Sequence, residues 1–104
     1  MTRIDIRHDD ANWYVSIDGH AGYAPAGQDI VCAAVSMLTC TLSQWIEDSV
    51  LLARRRQESG DGWFEAEIVA RDIPRVESAM SVFLTGFRLI AKQYPQHVKM
   101  AGEK

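Results

Sequence analysis

The chain has few of the residues that mark specialised classes of protein. Its 104 residues include only two cysteines and three prolines, and 14 acidic residues outnumber 11 Lys and Arg. The net charge of −3 argues against duplex nucleic acid or an anionic membrane as a partner. The cysteines are eight positions apart in one predicted helix, which separates them by about 12 Å and excludes a disulfide between them. We therefore expect two free thiols, as is usual in the cytoplasm.

The chain also lacks a long uninterrupted hydrophobic run. Its first residues alternate between polar and apolar types, which is unlike a secretory signal. The charge-free stretch 30–46 contains hydroxyl and amide side chains and falls short of about 18 apolar residues, so it predicts a buried helix rather than a membrane span. With 47% hydrophobic residues the chain can build one core, and we expect a single domain over residues 1–104.

Local patterns predict two hairpins, each followed by a helix. Polar and apolar residues alternate over 4–17, which predicts the first hairpin. The second hairpin is predicted around the turn-forming sequence Ser59-Gly60-Asp61-Gly62, and its first strand begins with Leu51 and Leu52. The order strand, strand, helix, strand, strand, helix indicates an α+β fold. The simplest solution is a two-layer sandwich, ββαββα, with two helices packed on a four-stranded, mostly antiparallel sheet.

Capping residues predict where the helices begin. Asp29 can accept hydrogen bonds from the first free amides of a helix running from about Ile30 to Asp48. Asp72 can cap the second helix in the same way, with Pro74 in its first turn. Pro95 is expected to end that helix because proline cannot continue the hydrogen-bond ladder.

The residues suited to chemistry lie in one glycine-bounded block. Gly19-His20-Ala21 is followed, after residues 22–26, by Gly27-Gln28-Asp29-Ile30-Val31-Cys32-Ala33. If Asp29 is the cap, Cys32 is the third helical residue, where the positive end of the helix dipole stabilises a thiolate. The loop between His20 and Cys32 is long enough to fold back, which would let His20 accept the thiol proton. The backbone amides near Cys32 and Ala33 are expected to hold a developing oxyanion.

Simpler interpretations of the same residues remain open at this point. A free cysteine is often buried packing and a loop histidine is often only solvated, so Cys32 and His20 need not form a site. Cys40 lies in mid-helix and is interpreted as a packing residue. The run Arg54-Arg55-Arg56 is interpreted as a solvated strand edge, and no nucleic-acid site is assigned to it. No residue spacing is typical of a metal or nucleotide site, so we expect no cofactor.

The spacing of the block resembles the signature of the ribosomal-processing cysteine proteases, the Prp family. The resemblance implies that Cys32 is the nucleophile and His20 the catalytic histidine. Tyr23, in the intervening loop, is a hypothesised contact for an apolar substrate side chain. The positions assigned to a supporting or substrate-binding role are Gly19, Ala21, Tyr23, Gly27, Asp29, Ala33 and Ser36.

The same resemblance implies a biological setting. Members of the family act as homodimers in the bacterial cytoplasm and remove an N-terminal extension from large-subunit ribosomal protein twenty-seven, cutting after an aromatic residue and before alanine. Two alternatives stay open on sequence alone. One is a protease of the same fold with another target, such as a phage structural protein. The other is a non-catalytic homodimeric binding module in which Cys32 is merely buried.

Overall fold

The structure is a computed structural model, and it describes residues 1–9, 12–25, 27–48, 53–69 and 74–101. These ranges contain five strands and two helices. In chain order they are β1 (Thr2–His8), β2 (Asn12–Asp18), α1 (Ile30–Asp48), β3 (Ala53–Gly60), β4 (Trp63–Val69), α2 (Pro74–Gln93) and β5 (Val98–Ala101). The α+β class and both hairpins agree with the prediction.

The five strands form one mixed sheet in the order β3-β4-β2-β1-β5. The neighbouring strands β1–β2, β2–β4 and β3–β4 are antiparallel, whereas β5 runs parallel to β1. The prediction of four strands is therefore wrong by one. A segment as short as Val98–Ala101 shows no periodicity of its own, and it becomes a strand by pairing with β1, at the other end of the chain.

Both helices cover the same face of the sheet. Alternate side chains of the strands are buried there, as expected for a sheet with one solvated face. The buried strand residues include Ile4, Ile6, Val15, Ile17, Phe64, Ala66 and Ile68. Helix α2 presents Val76, Met80, Leu84, Phe87 and Ile90 to them, at the three- and four-residue spacing of one helix face. The core thus lies between the sheet and the helices.

Helix α1 is buried along one face only, which corrects the prediction of a buried helix. Its core face carries Val31, Val35, Leu42 and Ile46, while Met37 is 67% exposed. From Ile30 to Ile46 both sides of the helix are free of charge, so composition alone did not show which side faces solvent. By length and a mean hydropathy of 1.4, α1 would suffice to cross a membrane; its buried face instead belongs to the core of this domain.

The ends of the helices agree with the prediction where the structure describes them. Helix α1 begins at Ile30, and α2 begins at Pro74 and ends at Gln93, two residues before Pro95. The predicted cap Asp72 lies outside the described residues, as do Leu51 and Leu52.

Candidate active site

The loop that carries His20 begins directly after β2. Its first residue, Gly19, has a φ of +94°, and a Cβ at this position would collide with the carbonyl oxygen of Met1. Only glycine fits both constraints. The amide of Gly19 donates to the carbonyl oxygen of Gly62 at 2.8 Å, which joins the loop to the turn of the β3–β4 hairpin.

Asp29 caps α1 as predicted. Its Oδ1 accepts a hydrogen bond from the amide of Cys32 at 2.8 Å, and its carbonyl oxygen accepts the first helical bond, from Ala33, at 3.0 Å. Cys32 is therefore the third residue of α1, within the turn where the helix dipole favours negative charge.

The second carboxylate oxygen of Asp29 holds the preceding loop. Oδ2 accepts from the amides of Tyr23 at 2.9 Å and Ala24 at 3.4 Å. The hydrogen bond from Cys32, reinforced by those from the loop, lowers the pKa of Asp29 below its ordinary value of 3.8 because every donor favours the charged form. One ionised side chain thus ties the loop to the helix that bears Cys32.

The structure brings His20 and Cys32 together. The Sγ atom of Cys32 lies 4.0 Å from Nδ1 of His20, at the outer limit of a sulfur–nitrogen hydrogen bond. The Cys32 side chain is half-buried, whereas that of His20 is 63% exposed. Catalytic hydrogen bonds are often this long in the absence of substrate and shorten when it binds.

Two of the amides in the region expected to hold the oxyanion are already occupied. The amides of Cys32 and Ala33 both donate to Asp29 already, one to its side chain and one to its backbone. A donor that closes the cap or the first helical bond is not free to bind an oxyanion. The positive end of the α1 dipole still acts at this point, but these two N–H groups do not serve as oxyanion donors.

Apart from Gly19, described above, the predicted supporting residues fall into two groups. Gly27, Asp29, Ala33 and Ser36 line a cleft of about 540 Å³ with His20 and Cys32. Ala21 instead faces the core, and Tyr23 lies at the other side of the loop, where its ring contacts those of Tyr94 and His97 at centroid distances of 5.6 and 5.4 Å. The structure therefore places the first group, and not the second, in the cleft beside the thiol.

A second cleft of about 480 Å³ leads from His20 and Cys32 along α1. The α1 side of this cleft carries mainly hydroxyl and amide side chains, and the β3–β4 hairpin forms the opposite wall. The polar residues of the helix wall are Ser36, Thr39, Ser43 and Gln44. Cys40 also lines this cleft and is exposed, so its interpretation as a packing residue is wrong.

Three residues near the site were not predicted. Asp61 Oδ1 lies 3.8 Å from Nε2 of His20, and a Cβ built at Gly62 would lie 2.8 Å from the same nitrogen. His97 Nδ1 lies 3.1 Å from the carbonyl oxygen of Ala21, where an N–H donates to the loop. The Asp-Gly pair signalled the turn, but no local pattern indicates which loop that turn contacts. Over the described ranges, no three His, Cys, Asp or Glu residues are grouped as a metal site.

Comparisons with known proteins identify a family that this chain matches over most of its length. The family model described as Cysteine protease Prp matches residues 1–99. Two similar proteins are each named Ribosomal processing cysteine protease Prp. The one from Mycoplasma genitalium is 30% identical over 101 residues, covering 94% of this chain and 92% of its own, and the one from Mycoplasma pneumoniae is 27% identical over 90 residues, covering 86% and 87%.

Solved structures share the fold. The S. aureus processing protease Prp with a covalently linked product peptide has a TM-score of 0.84 at 23% identity, over 96% of this chain and 97% of that one. A Streptococcus mutans protein has a TM-score of 0.70 at 28% identity, over 96% and 91% of the two chains. The fold is therefore one that solved proteins share.

Proposed function

The chain belongs to the cysteine protease Prp family, and on that basis we propose that it is a site-specific endopeptidase with Cys32 as nucleophile and His20 as its proton acceptor. The observation that carries the assignment is the 4.0 Å approach of Sγ to Nδ1 at the first turn of α1. Cys40, which is exposed on the same helix, has neither the dipole end nor a histidine beside it in sequence.

The proposed reaction proceeds through a thioester. The thiol proton of Cys32 passes to Nδ1 of His20, and Sγ attacks the scissile carbonyl carbon. When the carbon–nitrogen bond breaks, the imidazolium returns its proton to the leaving amine. Water then attacks the thioester with the imidazole as base, which releases a carboxylate product and restores the thiol. The helix dipole at Cys32 stabilises negative charge in both steps.

The proposed substrate is the precursor of large-subunit ribosomal protein twenty-seven, from which the enzyme removes an N-terminal extension. The names of the two Mycoplasma relatives support a ribosomal protein as the target. The two clefts meet at His20, Cys32 and Ser36 and remain open to solvent, as an extended peptide segment requires. A phage structural protein is the alternative target if that precursor is not cut.

The test is mass spectrometry of the precursor after incubation with the wild type, Cys32→Ser or Cys40→Ser. We expect a single cut by the wild type and by Cys40→Ser, with none by Cys32→Ser. Cutting by Cys32→Ser would refute the mechanism. No cutting by any variant, with Cys32 still readily alkylated, would refute the substrate and redirect the search to another target.

We also propose a cytoplasmic homodimer that contacts neither membrane nor nucleic acid directly. The exposed side of α1 carries Met37 and is free of charge from Ile30 to Ile46, which supports self-association. Light scattering measures the oligomeric state, and a monomer at concentrations where the enzyme is active would contradict the proposal.

A further inference from the structure

The turn of the β3–β4 hairpin is docked against His20. The backbone bond from Gly19 to Gly62 fixes the turn next to the residue that precedes the histidine. Gly62 has a φ of +75° and no Cβ, which lets the turn approach Nε2 closely. Asp61, the other residue of the turn, then lies with Oδ1 3.8 Å from Nε2, within ion-pair distance.

This arrangement gives the two ring nitrogens of His20 different neighbours. Nδ1 faces the thiol of Cys32 and Nε2 faces the carboxylate of Asp61. A carboxylate beside Nε2 favours a proton on that nitrogen, and the lone pair of Nδ1 is then free to accept the thiol proton. Once Nδ1 is protonated as well, the same carboxylate stabilises the imidazolium.

We propose that Asp61 is a positioning residue for His20, selecting the tautomer that accepts the thiol proton and stabilising the thiolate–imidazolium pair. The proposal rests on the proposed function, and it deepens the account of that same site. The Asp61 side chain is 99% exposed, so the size of the effect is limited. Exposed ion pairs contribute little, and we expect a change of about threefold to fivefold rather than loss of activity.

Asp61→Asn is the sharpest substitution. Asparagine has nearly the same shape, and Asn-Gly forms the same kind of tight turn as Asp-Gly, so the hairpin is retained. Glu58→Gln is the matched control because Glu58 is an exposed carboxylate three residues earlier on the same hairpin. Asp61→Glu restores the charge and tests for rescue.

The readout is the rate at which iodoacetamide alkylates Cys32, measured by peptide mass spectrometry in a Cys40→Ser background. This reaction reports the thiolate without needing a substrate. At low salt, Asp61→Asn should lower the rate about threefold to fivefold, Asp61→Glu should recover most of it, and Glu58→Gln should leave it unchanged. Raising salt from about 0.01 M to about 1 M shortens the Debye length from about 30 Å to about 3 Å, so the wild-type rate should fall toward that of Asp61→Asn.

A wild-type alkylation rate in Asp61→Asn would overturn the proposal, as would an equal loss in Glu58→Gln. On a cleaved peptide, the loss should appear in kcat with KM unchanged, because Asp61 acts through His20; a loss confined to KM would make Asp61 a substrate contact instead. Failure of the proposed function has a different signature, since the precursor would then remain uncut while Asp61 still affects alkylation of Cys32.

Discussion

Replacing Gly62 with alanine tests whether the hairpin turn determines the position of His20. Gly62 has a φ of +75°, and a Cβ there would lie 2.8 Å from Nε2 of His20, which is too close for two non-bonded heavy atoms of this kind. The obstructing atom is the far end of a side chain that is 63% exposed. The fold therefore accommodates the methyl group by moving His20 rather than the backbone.

Two magnitudes follow from this geometry. An alanine held at positive φ costs about 1–2 kcal/mol of folding stability, which a domain of usual stability tolerates. Displacing the imidazole from Cys32 is more damaging to the reaction, because a misplacement of about 1 Å costs on the order of 100-fold in rate. We therefore expect Gly62→Ala to fold and to lose about 100-fold in kcat/KM.

Gly22→Ala is the matched control. Gly22 also has a positive φ, of +70°, but no atom of the described chain lies within 4 Å of the added Cβ. Both variants should thus lose similar free energy of unfolding in urea titrations, whereas only Gly62→Ala should slow the alkylation of Cys32.

The reasoning is refuted if folded Gly62→Ala alkylates and cleaves at the wild-type rate. That result would mean that His20 reaches its working position independently of the hairpin. Equal losses of activity in both glycine variants would instead attribute the effect to backbone strain in general.

Three further predictions concern Asp29, Met37 and Tyr23. The hydrogen bonds from Cys32 and the loop lower the pKa of Asp29 below 3.8, so the ionised side chain stabilises the fold above that pH. This contribution to the free energy of unfolding is lost as the pH falls through the lowered pKa. Urea titrations of Asp29→Asn, which keeps a cap, should therefore show a smaller loss of stability in acid than the wild type. Met37→Glu places a charge on the exposed side of α1 and should convert the proposed dimer to a monomer in light scattering. Tyr23→Ala should lower kcat/KM about tenfold if Tyr23 contacts an apolar substrate side chain, and an unchanged value would exclude that contact.

The elements that the sequence predicts well are those with local causes. The β1–β2 hairpin follows from alternation within a short segment, and the start of α1 follows from Asp29, whose carboxylate reaches the amide of Cys32 three residues on. The fifth strand has no such cause, because Val98–Ala101 is a strand only through its pairing with β1. Its absence from the prediction reflects a contact between opposite ends of the chain.

The features of the candidate site also separate into those with local causes and those that depend on tertiary contacts. Local sequence predicts the residues suited to the chemistry, because His20, the cap Asp29 and Cys32 lie in one continuous block. The distance between the two side chains depends on tertiary packing, as do the occupation of the amides near Cys32 and the position of Asp61 and Gly62 beside the histidine. Helix caps and strand alternation act over a few residues, whereas the hairpin reaches His20 through packing of the whole sheet and the backbone bond between Gly19 and Gly62.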